Sequence, residues 1–251
     1  MKIARFLRAG AVEYGVVEGD RVFSLLGDIF GEYAKGREKC LLSEVKLLTP
    51  CVPPKVLAVG LNYRSHLGQR QAPANPEIFF KPTSCVMGPE ENIVVPRGSS
   101  GVHYEGELVV VMKRRARHIT PEQAADYILG YSCGNDVSER DWQRNDIQWW
   151  RAKGADTFGP FGPYIVDDID PNNVELQTRL NGEVKQSSNT SDLIHNCAKI
   201  VSFVSQMVTL EPGDIIFSGT PGTTSAMKPG DVVEVEIGGI GVLRNTVVAE
   251  S

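Results

Sequence analysis

The sequence lacks any run approaching the roughly eighteen apolar residues that a membrane helix requires, so no membrane span is expected. Its start has no apolar core followed by a small-residue cleavage site, and no secretory leader is expected. Cys-x-x-Cys spacing is missing as well. The five cysteines (Cys40, Cys51, Cys85, Cys133 and Cys197) are scattered and odd in number, which excludes a cysteine zinc site and reads as free thiols in a reducing cytoplasm. There is no excess of basic residues: 26 Lys and Arg stand against 31 Asp and Glu, for a net charge of −5. Phosphate neutralisation supplies most nucleic-acid affinity, so no nucleic-acid partner is expected. The Gly-rich turn Ser218–Thr223 has no P-loop lysine, and no Gly-x-Ser-x-Gly elbow occurs. Internal repeats and low-complexity tracts are also lacking.

What is present is an ordinary globular composition. The 251 residues are 41 % apolar and 23 % charged, enough for one large domain or one domain with a small appendage. The 25 glycines and 15 prolines point to many turns and an α+β fold that is mainly β. Residues 1–52 read as a small β unit with strands at Lys2–Leu7, Tyr14–Val17 and Arg21–Leu25. Pro50, Pro53 and Pro54 mark a boundary, and 53–251 form the main unit. Short strands follow at Val56–Val59, Ile78–Lys81 and Ile93–Pro96, and Leu108–Met112 reads as a strand buried on both faces. Further strands are expected at Asp214–Phe217, Val232–Ile237 and Gly241–Val248.

Two helices are signalled. Thr120 can cap one, Pro121 suits its first position and Gly130 follows its last turn. The second starts near Thr190 or Ser191. Leu193, Ile194, Cys197, Ile200, Val201, Val204 and Met207 form its apolar stripe, with His195 inside it in a structural role.

The residues that can carry chemistry cluster in a few segments. Glu105 and Glu107 are two apart on an extended chain, so their carboxylates project to one side and suit a hard divalent cation. The alternative is a solvent-facing strand edge. Asp136 is either a third carboxylate of that site or a helix cap for Val137 onward. Asp136, Arg140 and Gln143 fall at helical spacing, hence on one face; Arg140 either pairs with a metal ligand or holds a substrate carboxylate. Lys153, in a Gly-rich segment that reads as a tight loop, either steadies an enolate or is a solvated charge. His66 follows a strand and a glycine and is a candidate general base. Thr220 can hydrogen-bond a substrate carboxylate, and His118 among arginines reads as solvated surface.

Taken in order, VGLNYRSH, EIFFKP, VHYEGELVVV, GYSCGNDVSERDWQ, RAKGADTFGPFGP and LEPGDIIFSGTPGT resemble the fumarylacetoacetate hydrolase family, over most of residues 53–248. Residues 1 to about 50 resemble the short N-terminal domain of bacterial members in the acylpyruvase and 2-hydroxyhepta-2,4-diene-1,7-dioate isomerase-like subgroup. The resemblance implies a mixed β-roll catalytic fold, a homodimer, and Mg²⁺ or Mn²⁺ on Glu105, Glu107 and Asp136. It implies 2-oxo or 2,4-dioxo carboxylate substrates, with Arg140, Gln143, Lys153 and Thr220 near them and His66 activating water. Hydrolytic members usually carry a glutamate three residues after that histidine. Here the position is Gln69, whose amide cannot accept a proton.

The reading is therefore a metal-dependent hydrolase cleaving a C–C bond in an acylpyruvate or fumarylacetoacetate-like acid through an enolate. The alternative is an isomerase, or an oxaloacetate decarboxylase or tautomerase, using the same metal site. A non-catalytic ligand-binding module is a third possibility, opposed by the presence of Lys153 with all three carboxylates.

Overall fold

The structure, a computed structural model, describes residues 1–99 and 101–251. Its backbone is one twelve-stranded mixed sheet covered by a five-stranded sheet. From edge to edge, the path of the large sheet runs Tyr33–Leu41, Arg21–Gly27, Ala11–Glu18, Lys2–Arg8, Gly159–Val166, Ile128–Asn135, Gly106–Met112, Ile215–Phe217, Val56–Gly60 and Glu77–Lys81. The first fifty residues thus continue the main sheet: Ile3 pairs with Ile165, and Phe6 also meets Leu47. The smaller sheet runs Glu183–Asn189, Glu175–Leu180, Val232–Ile237, Gly241–Ala249 and Asn92–Val95. A two-stranded ladder, Val102–His103 with Ser138–Glu139, lies beside the site described below.

The central strands divide two cores by simple alternation. Leu57, Val59, Leu108, Val110, Met112 and Ile216 face one core, with the helix Cys197–Met207 and residues Val235, Ile237 and Leu243 of the smaller sheet. Val56, Ala58, Val109, Val111, Ile215 and Phe217 face the other, with Ile3, Phe161 and Ile165. Because both faces are dry, the strand Gly106–Met112 is buried at every position. That continuous apolar run is what the sequence displays.

The helices differ from expectation in instructive ways. The helix signalled by Thr120 and Pro121 is a 3₁₀ helix, Pro121–Tyr127, with a Thr120–Gln123 capping box. Gly130 does not end it but lies in the strand Ile128–Asn135, where a Cβ would sit 2.6 Å from the Val166 carbonyl oxygen. The glycine is a close-packing requirement of neighbouring strands, which imitates a helix stop. The long helix starts at Cys197, not near Thr190: the side chain of Asn196 accepts from the Lys199 amide and sets the first turn. Leu193, Ile194 and His195 precede it, and Met207 is 82 % exposed, so the buried stripe is Cys197, Ile200, Val201 and Val204. The branched side chains Ile200, Val201 and Val204 each contribute about 1.5–3 kcal/mol by burial. No helix among the described residues is long and apolar enough to cross a membrane.

Candidate metal centre and active-site cleft

The strand Gly106–Met112 begins the site. Glu107 is its second residue and Glu105 immediately precedes it, so the two carboxylates leave the same side of one extended segment. The neighbouring strand ends at Asn135, whose Oδ1 accepts from the Glu105 amide at 2.8 Å, and Asp136 follows directly. One carboxylate oxygen from each of Glu105, Glu107 and Asp136 lies within 4.8 Å of the others, and all three side chains are buried. Asp136 is not a helix cap. The following helix, Arg140–Asn145, is capped by Glu139, whose Oε2 accepts from the Trp142 amide at 2.6 Å. Asp136 therefore does not share a helical face with Arg140 and Gln143, although Arg140 Nη1 does donate to Gln143 Oε1 at 2.7 Å.

Buried cations surround the carboxylates. Lys153 Nζ donates to Glu105 Oε2 at 2.5 Å and Asp136 Oδ2 at 2.6 Å, and lies 5.3 Å from the centre of the Phe79 ring. The segment read as a tight loop is instead the short helix Trp150–Gly154, which points Lys153 inward. Its last residue is glycine because a Cβ would stand 2.4 Å from Pro82 Cδ. Lys81, at the end of the strand Glu77–Lys81, donates to Asp136 Oδ1 at 2.6 Å, to the Phe158 carbonyl at 3.1 Å and to the Lys153 carbonyl. Arg140 Nη2 donates to Glu105 Oε1 and, at 2.8 Å, to Thr224 Oγ1.

These contacts push the acids in opposite directions. Burial alone would raise Glu105, but Lys153 and Arg140 outweigh it and hold its carboxyl down at about 2. Glu107 is raised well above the usual carboxylate range, first by burial and then by the charges of Asp136 and Glu105. Its Oε2 accepts from the Gly219 amide at 2.6 Å, which is insufficient compensation. Burial lowers Lys153, yet Asp136 and Glu105 reverse this and leave it raised, hence charged. Three hard oxygen donors, one of them short of positive charge, fit a divalent cation.

Glu105 and Glu107 open on a cleft of about 760 Å³. His66, Arg140, Gln143 and Lys153 line it with Glu105 and Glu107, and Phe79 and Trp149 form an aromatic wall. Their rings meet edge to face, with centroids 5.3 Å apart. His66 Nδ1 lies 2.5 Å from the Gly222 carbonyl oxygen. That contact requires a proton on Nδ1 and leaves the lone pair on Nε2. Thr220 also lines the cleft, but its one hydroxyl proton goes to the Gly106 carbonyl at 3.0 Å. Gln69 is exposed in the turn after Gly68 and does not line the cleft. His195 ties loops together: its amide donates to Asn62 Oδ1 at 2.9 Å and its Nε2 lies 3.0 Å from the Pro73 oxygen.

A profile of the fumarylacetoacetate hydrolase C-terminal domain matches residues 55–248, and one of an Rv2993c-like N-terminal domain matches residues 1–50. The chain belongs to the fumarylacetoacetate hydrolase family. Family members are enzymes that typically use a divalent metal, and the Glu105–Glu107–Asp136 triad can hold one. Among relatives, Rv2993c of Mycobacterium tuberculosis is 47 % identical over 212 residues, covering 82 % of this chain and 80 % of its own. The mitochondrial oxaloacetate tautomerase Fahd2a of Rattus norvegicus is 42 % identical over 220 residues, covering 82 % of this chain and 70 % of its own. The crystal structure of 5-carboxymethyl-2-hydroxymuconate delta-isomerase from Mycobacterium smegmatis superposes with a TM-score of 0.94 at 43 % identity, covering 100 % of both chains.

Three structural participants escape sequence reasoning. Lys81 reads as the end of an apolar strand. Asn62 donates to the carbonyls of His195 and Ser218 at 2.9 and 2.7 Å, joining the His66 loop to the turn that holds Gly219. Gln186, on the smaller sheet, accepts from the Gly106 amide at 3.1 Å and donates to Thr220 and Pro221. Lys81 and Asn62 carry one signal, a polar residue beside an apolar or glycine-bearing stretch; Gln186 stands in a polar stretch and carries none.

Proposed function

We propose that this protein is a divalent-cation-dependent enzyme that enolises 2-oxo acids, working as a tautomerase or double-bond isomerase. The observation that carries this reading is the placement of His66 and Gln69: the first lines the cleft with Glu105 and Glu107, and the second does not. His66 is backed by a backbone carbonyl, and Gln69, the position that would carry an assisting carboxylate for water attack, lies outside the cleft. The similarity to an isomerase over the whole chain and to oxaloacetate tautomerases supports the same choice.

A Mg²⁺ or Mn²⁺ ion on Glu105, Glu107 and Asp136 would polarise the 2-oxo group and stabilise the negative charge that enolisation creates. The chain's own residues supply the rest. Lys153, fixed as an ammonium between Glu105 and Asp136, adds positive charge where the enolate forms. His66 Nε2 removes the proton from the carbon next to the carbonyl. The same imidazolium returns it to oxygen, or to a carbon further along a conjugated chain, so that the reaction is balanced without water. Phe79 and Trp149 form the apolar wall of the cleft in which that exchange takes place, and the imidazolium proton remains exchangeable with solvent.

Hydrolysis of a 2,4-dioxo acid is the second reading. It is favoured by the free lone pair on His66 Nε2, which could take a proton from water instead. Proton NMR in D₂O separates the two. Oxaloacetate and an acylpyruvate are each incubated with protein and Mg²⁺, with a chelator control. Metal-dependent deuterium entry at C3 without release of pyruvate is expected. Release of pyruvate with its partner acid would replace the first reading by the second, and absence of both would overturn enolisation.

A further inference from the structure

Gly106 separates Glu105 from Glu107, and side chains from elsewhere in the chain hold both of its backbone groups. Its amide donates to Gln186 Oε1 at 3.1 Å, and its carbonyl accepts from Thr220 Oγ1 at 3.0 Å. Gln186 stands on the strand Glu183–Asn189 of the smaller sheet, opposite Thr178, and is 3 % exposed. A Cβ on Gly106 would lie 2.0 Å from Thr178 Oγ1, so glycine is what lets that sheet come so close.

The other end of the Gln186 amide holds the turn that follows Phe217. One N–H of Nε2 donates to Thr220 Oγ1 at 2.8 Å, and the other to the Pro221 carbonyl at 2.7 Å. The amide cannot be turned round, because Oε1 faces an N–H and Nε2 faces a carbonyl. The peptide between Pro221 and Gly222 is gripped on its second edge as well: the Gly222 amide donates to Ser65 Oγ at 3.0 Å. A peptide unit is planar, so contacts on its C=O and on its N–H together fix its orientation. The carbonyl of Gly222 itself is the group that accepts from His66 Nδ1 at 2.5 Å. Ser65 and His66, consecutive in the 3₁₀ turn Arg64–His66, thus take one polar group of Gly222 each.

We propose that Gln186 and Ser65 are positioning residues for His66, holding between them the peptide next to the carbonyl that fixes the imidazole proton on Nδ1. This rests on reading His66 as the proton acceptor. Gln186 also holds the amide between Glu105 and Glu107, so one buried side chain sets the acceptor and the cation ligands in a common frame. Without a fixed carbonyl nothing keeps the proton on Nδ1, and a proton on Nε2 removes the lone pair that enolisation needs.

The test uses the full chain labelled with ¹⁵N-histidine, with MgCl₂ and in alkaline buffer, where imidazoles are neutral. Two-bond ¹⁵N–¹H correlations separate the two tautomers, and the spectrum of His66→Gln identifies the His66 signals by their loss. The natural protein is compared with Gln186→Met, Ser65→Ala and Ser65→Thr, and the kinetics of C3 deuterium exchange in oxaloacetate are measured on each. The natural protein is expected to carry its His66 proton on Nδ1. In Gln186→Met the Nε2–H form is expected to emerge. Its kcat should fall by about tenfold or more, the scale of a small misplacement of a reacting group, with KM changed less than about threefold. Ser65→Ala should lose about fivefold in kcat, the scale of one ordinary hydrogen bond. Ser65→Thr, which keeps the hydroxyl, should restore both the rate and the tautomer.

The natural His66 pattern in folded Gln186→Met and Ser65→Ala would overturn the proposal whatever their rates, since a lower rate would then report only a structural role. A natural protein with the His66 proton on Nε2 would overturn it as well. An altered tautomer with natural kcat would uphold the positioning and overturn His66 as the acceptor. Should Gln186→Met fail to fold, Ser65→Ala decides alone, because Ser65 is exposed and its hydroxyl can be lost without leaving a cavity.

Discussion

The inner wall of the cleft and its entrance are held in opposite ways. On the inner wall, Glu105, Asp136, Lys81 and Lys153 are all buried and each makes at least two charged or carbonyl contacts. At the entrance, Arg64, Ser65, Gly68, Gln69 and Arg70 are exposed, and His66 is fixed by one carbonyl. Buried charges must be paired to exist at all, so the inner wall has one arrangement. The entrance carries no such obligation. Under the proposed function, the first holds the cation and the charge beside the enolate, and the second supplies the proton acceptor, His66.

The predictions test that division, beginning with the inner wall. Glu107→Gln is expected to lower C3 deuterium exchange by about 10³-fold or more, because several kcal/mol of charge stabilisation depend on the cation. The metal-free variant should melt no lower than the natural protein, since an amide keeps the bond from Gly219 and removes a poorly compensated buried charge. Its melting temperature should no longer rise with Mg²⁺, whereas the natural protein should gain about 2.7 kcal/mol at a cation concentration a hundred times Kd. A full metal response in Glu107→Gln would remove Glu107 from the site.

Lys153→Met is expected to slow exchange by about 10²–10³-fold, the cost of losing one preorganised charge at a developing anion. Steady-state kinetics should show the loss in kcat, with KM changed far less. A loss confined to KM would make Lys153 a binding group. His66→Gln, between wall and entrance, is expected to cost about 10²-fold. Near-natural exchange in that variant would assign the proton to another group. The smallest effect belongs to the entrance: Gln69→Ala should leave exchange within about twofold, because the side chain stands outside the cleft. A loss comparable to that of His66→Gln would show that the 64–76 segment closes over the substrate and brings Gln69 in.

Legibility in the sequence followed range. The apolar run Leu108–Met112 is visible in the sequence and lies inside the strand Gly106–Met112, and the pairing of Glu105 with Glu107 follows from the two-residue period of an extended chain. Val232–Ile237 matched residue for residue. The helix boundaries were less visible, because Gly130 satisfies a close approach to Val166 from a distant strand and looks locally like a stop. Asp136 could be proposed as a ligand but not separated from a cap, and Thr220 could be proposed as a substrate donor although its proton is committed to Gly106.

What the sequence determined by itself is local chemistry: which segments alternate, which acids share one side of a strand, which motifs occur in which order, and so the family. What only the tertiary structure decided is pairing across the chain. Lys81 meets Asp136 across 55 positions, the Gly219 amide meets Glu107 across 112, and Lys153 joins two acids at the ends of different strands. Periodicity reaches a few residues, whereas the placement of a buried charge depends on partners brought together by the packing of both sheets. For that reason the candidate ligands, with Arg140 and Lys153 beside them, could be named from the sequence, and Lys81 could not.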